Sequence, residues 1–174
     1  MDYYCIPNLF DKDELKIIDK VINNDQWDIA GVGAGAQSAR STKIKWITNV
    51  ILNEKLLRAF EDANEHYNFI ITELYDVGIL KYDVGDYYKK HIDIGGPVDI
   101  KTKFLSRKLS LITQLSSNYE GGDTFLYTND IPTTMKKEYN TATIFPSYVL
   151  HEVTTIEKGT RYSLVAWACG DPFK

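Results

Sequence analysis

The chain has 174 residues, 44% of them hydrophobic and 13% aromatic, with 12 tyrosines. That length and apolar content match a globular chain with a buried core and exclude a disordered one. A formal charge of −4 and a pI near 5.4 lack the basic footprint of a nucleic-acid binder. No stretch approaches the roughly 20 apolar residues of a membrane helix, and two cysteines, Cys5 and Cys169, leave no Cys-based zinc site. The first residues show neither a basic nor an apolar targeting region, so a soluble, cytoplasmic protein with reduced thiols is expected. Whether the two cysteines meet is open at this point.

Residues 11–24 read as a helix. Asp11 is placed to cap it, Glu14 completes a capping box, and Leu15, Ile18, Val21 and Ile22 form an apolar stripe. Residues 26–30 suit a short strand. The run from Gly31 to Ala36 lacks the spaced glycines and helix of a dinucleotide loop. It reads as a flexible surface loop with the freedom to act as a lid. Residues 43–47 alternate as a strand. Residues 53–68 read as a second helix, with Leu56, Leu57, Phe60, Ala63 and Tyr67 on one side. His66, alone on that helix, is left out of any site.

From Ile70 the period becomes that of strands: 70–75, 79–82, 87–94, 108–116, 123–128, 141–145, 151–156 and 161–169. Gly95-Gly96-Pro97, Gly121-Gly122 and Gly159 break the runs. Residues 98–106 read as a loop, and Lys101, Lys103, Arg107 and Lys108 as a solvated basic surface. Two helices ahead of about eight strands imply an α+β protein, its N-terminal helices supporting a β-sandwich or jelly roll. No internal repeat or linker is visible.

His91 and Asp93 are two metal-competent residues one position apart. On a strand, residues i and i+2 point the same way, so both project from one wall. His151 lies far along the chain and must arrive from a neighbouring strand. Two imidazoles and a carboxylate hold three positions of an octahedron and leave three open, as non-haem Fe(II) oxygenases require. A keto acid takes two of these and O₂ the third, while the protein supplies position and charge. Arg161, Ser163, Val165 and Trp167 share a face if 161–169 is a strand. Arg161 offers a planar fork of donors in a very apolar segment. A buried charge there needs a partner, and a small dicarboxylate would be one.

The order Tyr82…Gly85…Tyr88…His91-Ile92-Asp93, Leu109-Ser110, Gly121-Gly122-Asp123, Phe145-Pro146, His151-Glu152-Val153 and Gly159-Thr160-Arg161-Tyr162-Ser163…Trp167 resembles the iron- and 2-oxoglutarate-dependent dioxygenases, specifically the prolyl 4-hydroxylase-like branch. Arg40-Ser41 ahead of Trp46 is similar to a segment near the substrate groove of those enzymes. The resemblance implies one domain over 1–174, a double-stranded β-helix core over about 70–170 and helical support over about 1–69. It implies His91, Asp93 and His151 as iron ligands and Arg161 on the far carboxylate of 2-oxoglutarate. Tyr82, Ser163 and Trp167 complete the cofactor site on this reading. Two departures bear on substrate. Gln114 or Thr113 stands where some relatives carry a cofactor-holding tyrosine, and Arg161 stands where some prolyl hydroxylases carry lysine.

The activity implied is hydroxylation of a C–H bond, foremost a prolyl residue of a peptide or protein. The cofactors implied are Fe(II), 2-oxoglutarate and O₂, with ascorbate as a candidate reductant and succinate and CO₂ as co-products. The acidic charge disfavours nucleic acid as substrate, and Asp93 fills the place a halide would need. Two other readings stand beside it. One is a zinc hydrolase on the same three ligands with Glu152 as base, and the other is a metal-free binding module on a jelly-roll scaffold.

Overall fold

Asp11 caps the first helix, α1 (Lys12–Ile22), by accepting from the backbone N–H groups of Asp13 and Glu14, and Glu14 returns a bond to the Asp11 N–H at 2.8 Å. This is the expected capping box. The second helix, α2 (Val50–Tyr67), starts before the apolar stripe because Asn49 caps it, accepting from the Leu52 N–H at 3.1 Å. Asn68, at φ 55°, ends it in the left-handed conformation. The computed structural model describes residues 3–31, 39–94 and 105–173. All of the glycine-run loop except Gly31, and all of the expected Gly95-Gly96-Pro97 break, lie outside the described residues. So do Lys101 and Lys103.

The strands are β1 (Tyr4–Ile6), β2 (Asp28–Ile29), β3 (Arg40–Ser41), β4 (Lys43–Ile47), β5 (Glu73–Tyr82), β6 (Tyr87–His91) and β7 (Ser106–Gln114). They continue with β8 (Tyr119–Gly121), β9 (Thr124–Tyr127), β10 (Thr133–Thr134), β11 (Ala142–Pro146), β12 (Leu150–Val153), β13 (Ile156–Gly159) and β14 (Arg161–Gly170). A major sheet runs β1-β11-β7-β14-β5-β4-β2 and a minor sheet β10-β9-β12-β6-β3, while β13 pairs with β8. Two antiparallel sheets with two helices make the α+β, double-stranded β-helix fold.

Side-chain alternation on β14 explains the layering. Leu164, Ala166 and Ala168 face the helices, where they meet Ile18, Leu52 and Phe60. Val165 faces the other way, into a second cluster with Tyr82, Leu126 and Phe145 between the sheets. The helices therefore cover the outer face of the major sheet and leave its inner face for the site.

Several elements differ from the periodic reading. The segments 70–75 and 79–82 belong to one strand, β5, interrupted by a bulge. Ala166 faces Val77 and Trp167 faces Tyr75, so Asp76, at φ 40°, has no partner. The expected strand 151–156 ends early, at Val153 in β12, and its last residue, Ile156, opens a separate strand, β13. Strands β1, β3, β8, β10 and β13 were not expected. They hold only two to four residues each, too few to show a period. β7 starts two residues ahead of the expected strand and so takes in Arg107, and Lys108 is not part of a solvated surface but is buried with its ammonium over Phe173. Cys5 on β1 and Cys169 on β14 are separated by β11 and β7, and both are free.

Leu56 is fully buried in the cluster between helices and sheet. Leu56→Ala is expected to lower unfolding stability by about 3 kcal/mol in urea titrations.

Candidate active site

β6 and β12 pair antiparallel with His91 directly opposite His151, and the two ring centroids lie 4.1 Å apart. The next matched pair is Tyr88 with Val153, so β6 carries an extra residue between them. This bulge puts Tyr88 and His91 on the same face, where the rings stack at 3.5 Å. Phe145 meets His151 edge-on at 4.9 Å. Each imidazole directs Nδ1 at a backbone carbonyl, His91 at Lys89 (2.8 Å) and His151 at Val149 (2.9 Å). A carbonyl only accepts, so each Nδ1 carries the proton and each Nε2 keeps a free lone pair.

Asp93 joins them by a different route from the one its spacing suggests. β6 ends at His91, so strand alternation does not aim Asp93. Its backbone N–H donates to the Ser147 carbonyl at 2.8 Å. Its Oδ2 accepts from Ser110 Oγ at 2.8 Å and from the Trp167 indole N–H at 2.9 Å. The carboxylate then lies 3.6 Å from the Nε2 of each histidine. Ligand atoms of all three residues fall within 4.8 Å of one another, so the cluster can hold a metal ion. Burial and the neighbouring His151 push the His91 pKa down to about 4, against the pull of Asp93. Burial acts to raise the Asp93 pKa, but both imidazoles and the Trp167 and Ser110 donors outweigh it and hold it low. Both groups thus favour the ligand forms: neutral imidazole and ionised carboxylate.

The cluster opens on a cavity of about 560 Å³ between the sheets, whose wall includes Tyr82, Arg161, Ser163 and Trp167. Arg161 is 1% exposed. Its Nη1 donates to Ser163 and its Nη2 to Thr124, each at 3.3 Å, and its Cζ lies 5.1 Å from the Tyr82 ring centroid. Its buried Nε has no partner, and among the described residues no carboxylate pairs with it. Gly122 holds φ 59° beside this side chain, where an added Cβ would come within 3.1 Å of Arg161 Cδ. A planar cation without an anion, facing the cavity, fits a carboxylate ligand.

All seven residues expected at the site therefore reach one cavity. Glu152 does not. It lies on the opposite face of β12, hydrogen-bonded to Tyr127, which removes the base of the hydrolase reading. Gln114 is buried and accepts from Tyr119 at 3.4 Å. Sequence reasoning gave no role to Ser110, and it placed Arg107 on a solvated surface. A bulge explains Arg107. Leu109 faces Ala168 and Arg107 faces Cys169, so the unmatched Lys108 reverses the alternation and turns Arg107 to the cavity.

A model of the 2OG-Fe(II) oxygenase superfamily matches residues 77–169, more than half of the chain. A PKHD-type hydroxylase of Gloeothece citriformis is 22% identical over 171 residues, spanning 94% of this chain and 76% of that protein. A prolyl-4-hydroxylase of Pseudomonas putida superposes with a TM-score of 0.76 at 16% identity, covering 96% of this chain and 92% of that one. A prolyl hydroxylase of Trichoplax adhaerens, solved with a hypoxia inducible factor peptide fragment, gives 0.71 at 17% identity, covering 96% and 83%.

Two measurements test the cluster. Trp167→Phe removes one donor to Asp93 and is expected to weaken binding of one divalent metal about 10-fold by calorimetry, whereas His151→Ala abolishes it. The pH dependence of the metal-free protein follows from His91, whose folded pKa of about 4 lies below the ordinary 6.5. Between those values the unfolded chain binds a proton that the folded chain does not. Stability therefore falls as pH drops from 6.5 toward 4, and His91→Gln flattens that slope in urea titrations.

Proposed function

The chain belongs to the 2OG-Fe(II) oxygenase superfamily and is thereby a 2-oxoglutarate-dependent dioxygenase, and on that premise we propose that it hydroxylates a prolyl residue of a peptide or protein, with succinate and CO₂ as co-products. The observation that carries this reading is the buried guanidinium of Arg161, paired with no carboxylate among the described residues, in the same cavity as the His91, Asp93 and His151 cluster. The three ligands would hold Fe(II) and Arg161 the far carboxylate of 2-oxoglutarate, with residues 1–174 working as one catalytic domain. Bound iron would supply the activation of O₂, driven by oxidative decarboxylation of the keto acid.

The chain's own residues hold that chemistry in place. The carbonyls of Lys89 and Val149 fix the tautomers of the two histidines. Ser110 and Trp167 keep Asp93 ionised and in one rotamer. Ser163 and Thr124 orient the Arg161 fork, and Tyr82 shields its face from water. Trp46, 55% exposed, lies beside Gly78 on the cavity wall, where a Cβ would come within 3.1 Å of its ring. It would offer a flat platform to a pyrrolidine ring. The prolyl hydroxylase fold supports proline as the target, and the peptide-bound relative supports a peptide. Ascorbate would serve as reductant for the iron after uncoupled turnovers. No helix among the described residues is long and apolar enough to cross a membrane.

The test is succinate release from 2-oxoglutarate with Fe(II), paired with mass spectrometry of proline-containing peptides for one added oxygen. Arg161→Lys is expected to raise the KM for 2-oxoglutarate about 10-fold, and Arg161→Ala about 100-fold or more. Turnover with zinc in place of iron, or a KM untouched by Arg161→Ala, would overturn the reading.

A further inference from the structure

Two more guanidinium groups, of Arg40 and Arg107, line the cavity. They come from opposite sheets, Arg40 from β3 and Arg107 from β7. Each lies over an aromatic ring that touches the metal-competent cluster. Arg40 Cζ is 4.6 Å from the centroid of Tyr88, which stacks on His91. Arg107 Cζ is 4.0 Å from that of Trp167, which donates to Asp93.

Among the described residues no carboxylate neutralises either cation. Each has a buried Nε without a partner, and among the described residues neither forms an ion pair. Asp28 and Asp76 lie on the same wall but are exposed and unpaired with them. The cofactor does not supply the missing anions. On the reading above, one carboxylate of 2-oxoglutarate meets Arg161 and the other meets the metal. Two partly buried positive charges remain, and leaving them unpaired is costly.

We propose that the substrate presents a carboxylate to Arg40 and Arg107, and that this contact sets the carbon to be oxidised beside His91 and Asp93. The proposal rests on the dioxygenase reading. Two sources share the chemistry: the α-carboxylate of a free amino acid, and the side chain of a Glu or Asp near the target proline in a peptide.

The test is calorimetric binding to the full chain loaded with Mn(II) and 2-oxoglutarate, without oxygen. L-Proline is compared with L-prolinamide, and an end-capped proline hexapeptide carrying one Glu with its Gln counterpart. In at least one pair the carboxylate is expected to bind about 10-fold more tightly, and the pair that responds identifies the source. Arg40→Gln and Arg107→Gln should each remove most of that preference, and Arg107→Lys should keep part of it. The affinity for 2-oxoglutarate should stay unchanged, which shows that the variants are folded. A role confined to holding Tyr88 and Trp167 would not discriminate carboxylate from amide. Equal or undetectable binding within both pairs, or Gln variants that keep the preference, overturns this proposal alone. A wild-type chain that fails to bind 2-oxoglutarate overturns the dioxygenase reading with it.

Discussion

A guanidinium buried to 1% exposure, with no carboxylate paired to it among the described residues, organises the inner face of this protein. Removing Arg161 from water is costly, and two hydroxyls and the face of Tyr82 compensate only in part. The geometry around it follows from backbone pairing. Arg161 sits opposite Tyr82 in the β14–β5 ladder, so cation and ring share one face. Ser163, two residues on, falls on that face as well. Gly122 stays small because it holds a positive φ and an added Cβ would clash with Ile156 and crowd the arginine stem. A scaffold that keeps a cation dry and incompletely paired is pre-organised for an anionic ligand, since the desolvation is incurred on folding rather than on binding.

The two sheets divide the remaining work. The minor sheet supplies His91 and His151 as a cross-strand pair, and the major sheet supplies Arg161 together with Ser110 and Trp167, which hold Asp93. The helices make no contribution to the cavity wall. They bury the outer face of the major sheet through Ile18, Leu52 and Phe60, and so hold rigid the strands that carry the chemistry.

Bulges recur where the site is built. The one at Asp76 on β5 sits beside Trp167, the one on β6 brings Tyr88 over His91, and the one at Lys108 on β7 turns Arg107 inward. Each re-aims a side chain that regular alternation would send elsewhere. The outcome is a pair of matching stacks, Arg40 on Tyr88 on His91 and Arg107 on Trp167 beside Asp93. Each stack places a positive charge one ring away from a metal-competent side chain.

Much of this is local and can be read from residues near one another in the chain. The Asp11 capping box, the apolar stripe of α2, the turn glycines and the alternation of β14 depend on neighbours a few positions apart. The His-x-Asp spacing and an arginine in an apolar strand are legible in the same way, whereas His151 comes opposite His91 only through the pairing of β12 with β6. What the chain could not disclose is where alternation fails. Asp93 lies beyond the end of β6 and is aimed by Ser147, Ser110 and Trp167, which are more than a dozen residues away in sequence. Arg107 looks like part of a basic surface until the unmatched Lys108 reverses its direction. Trp167 looks like a wall until its indole meets a carboxylate 74 positions earlier. A bulge exists only in relation to a partner strand, and such hydrogen bonds only across the closed sandwich, so both were settled by tertiary pairing alone.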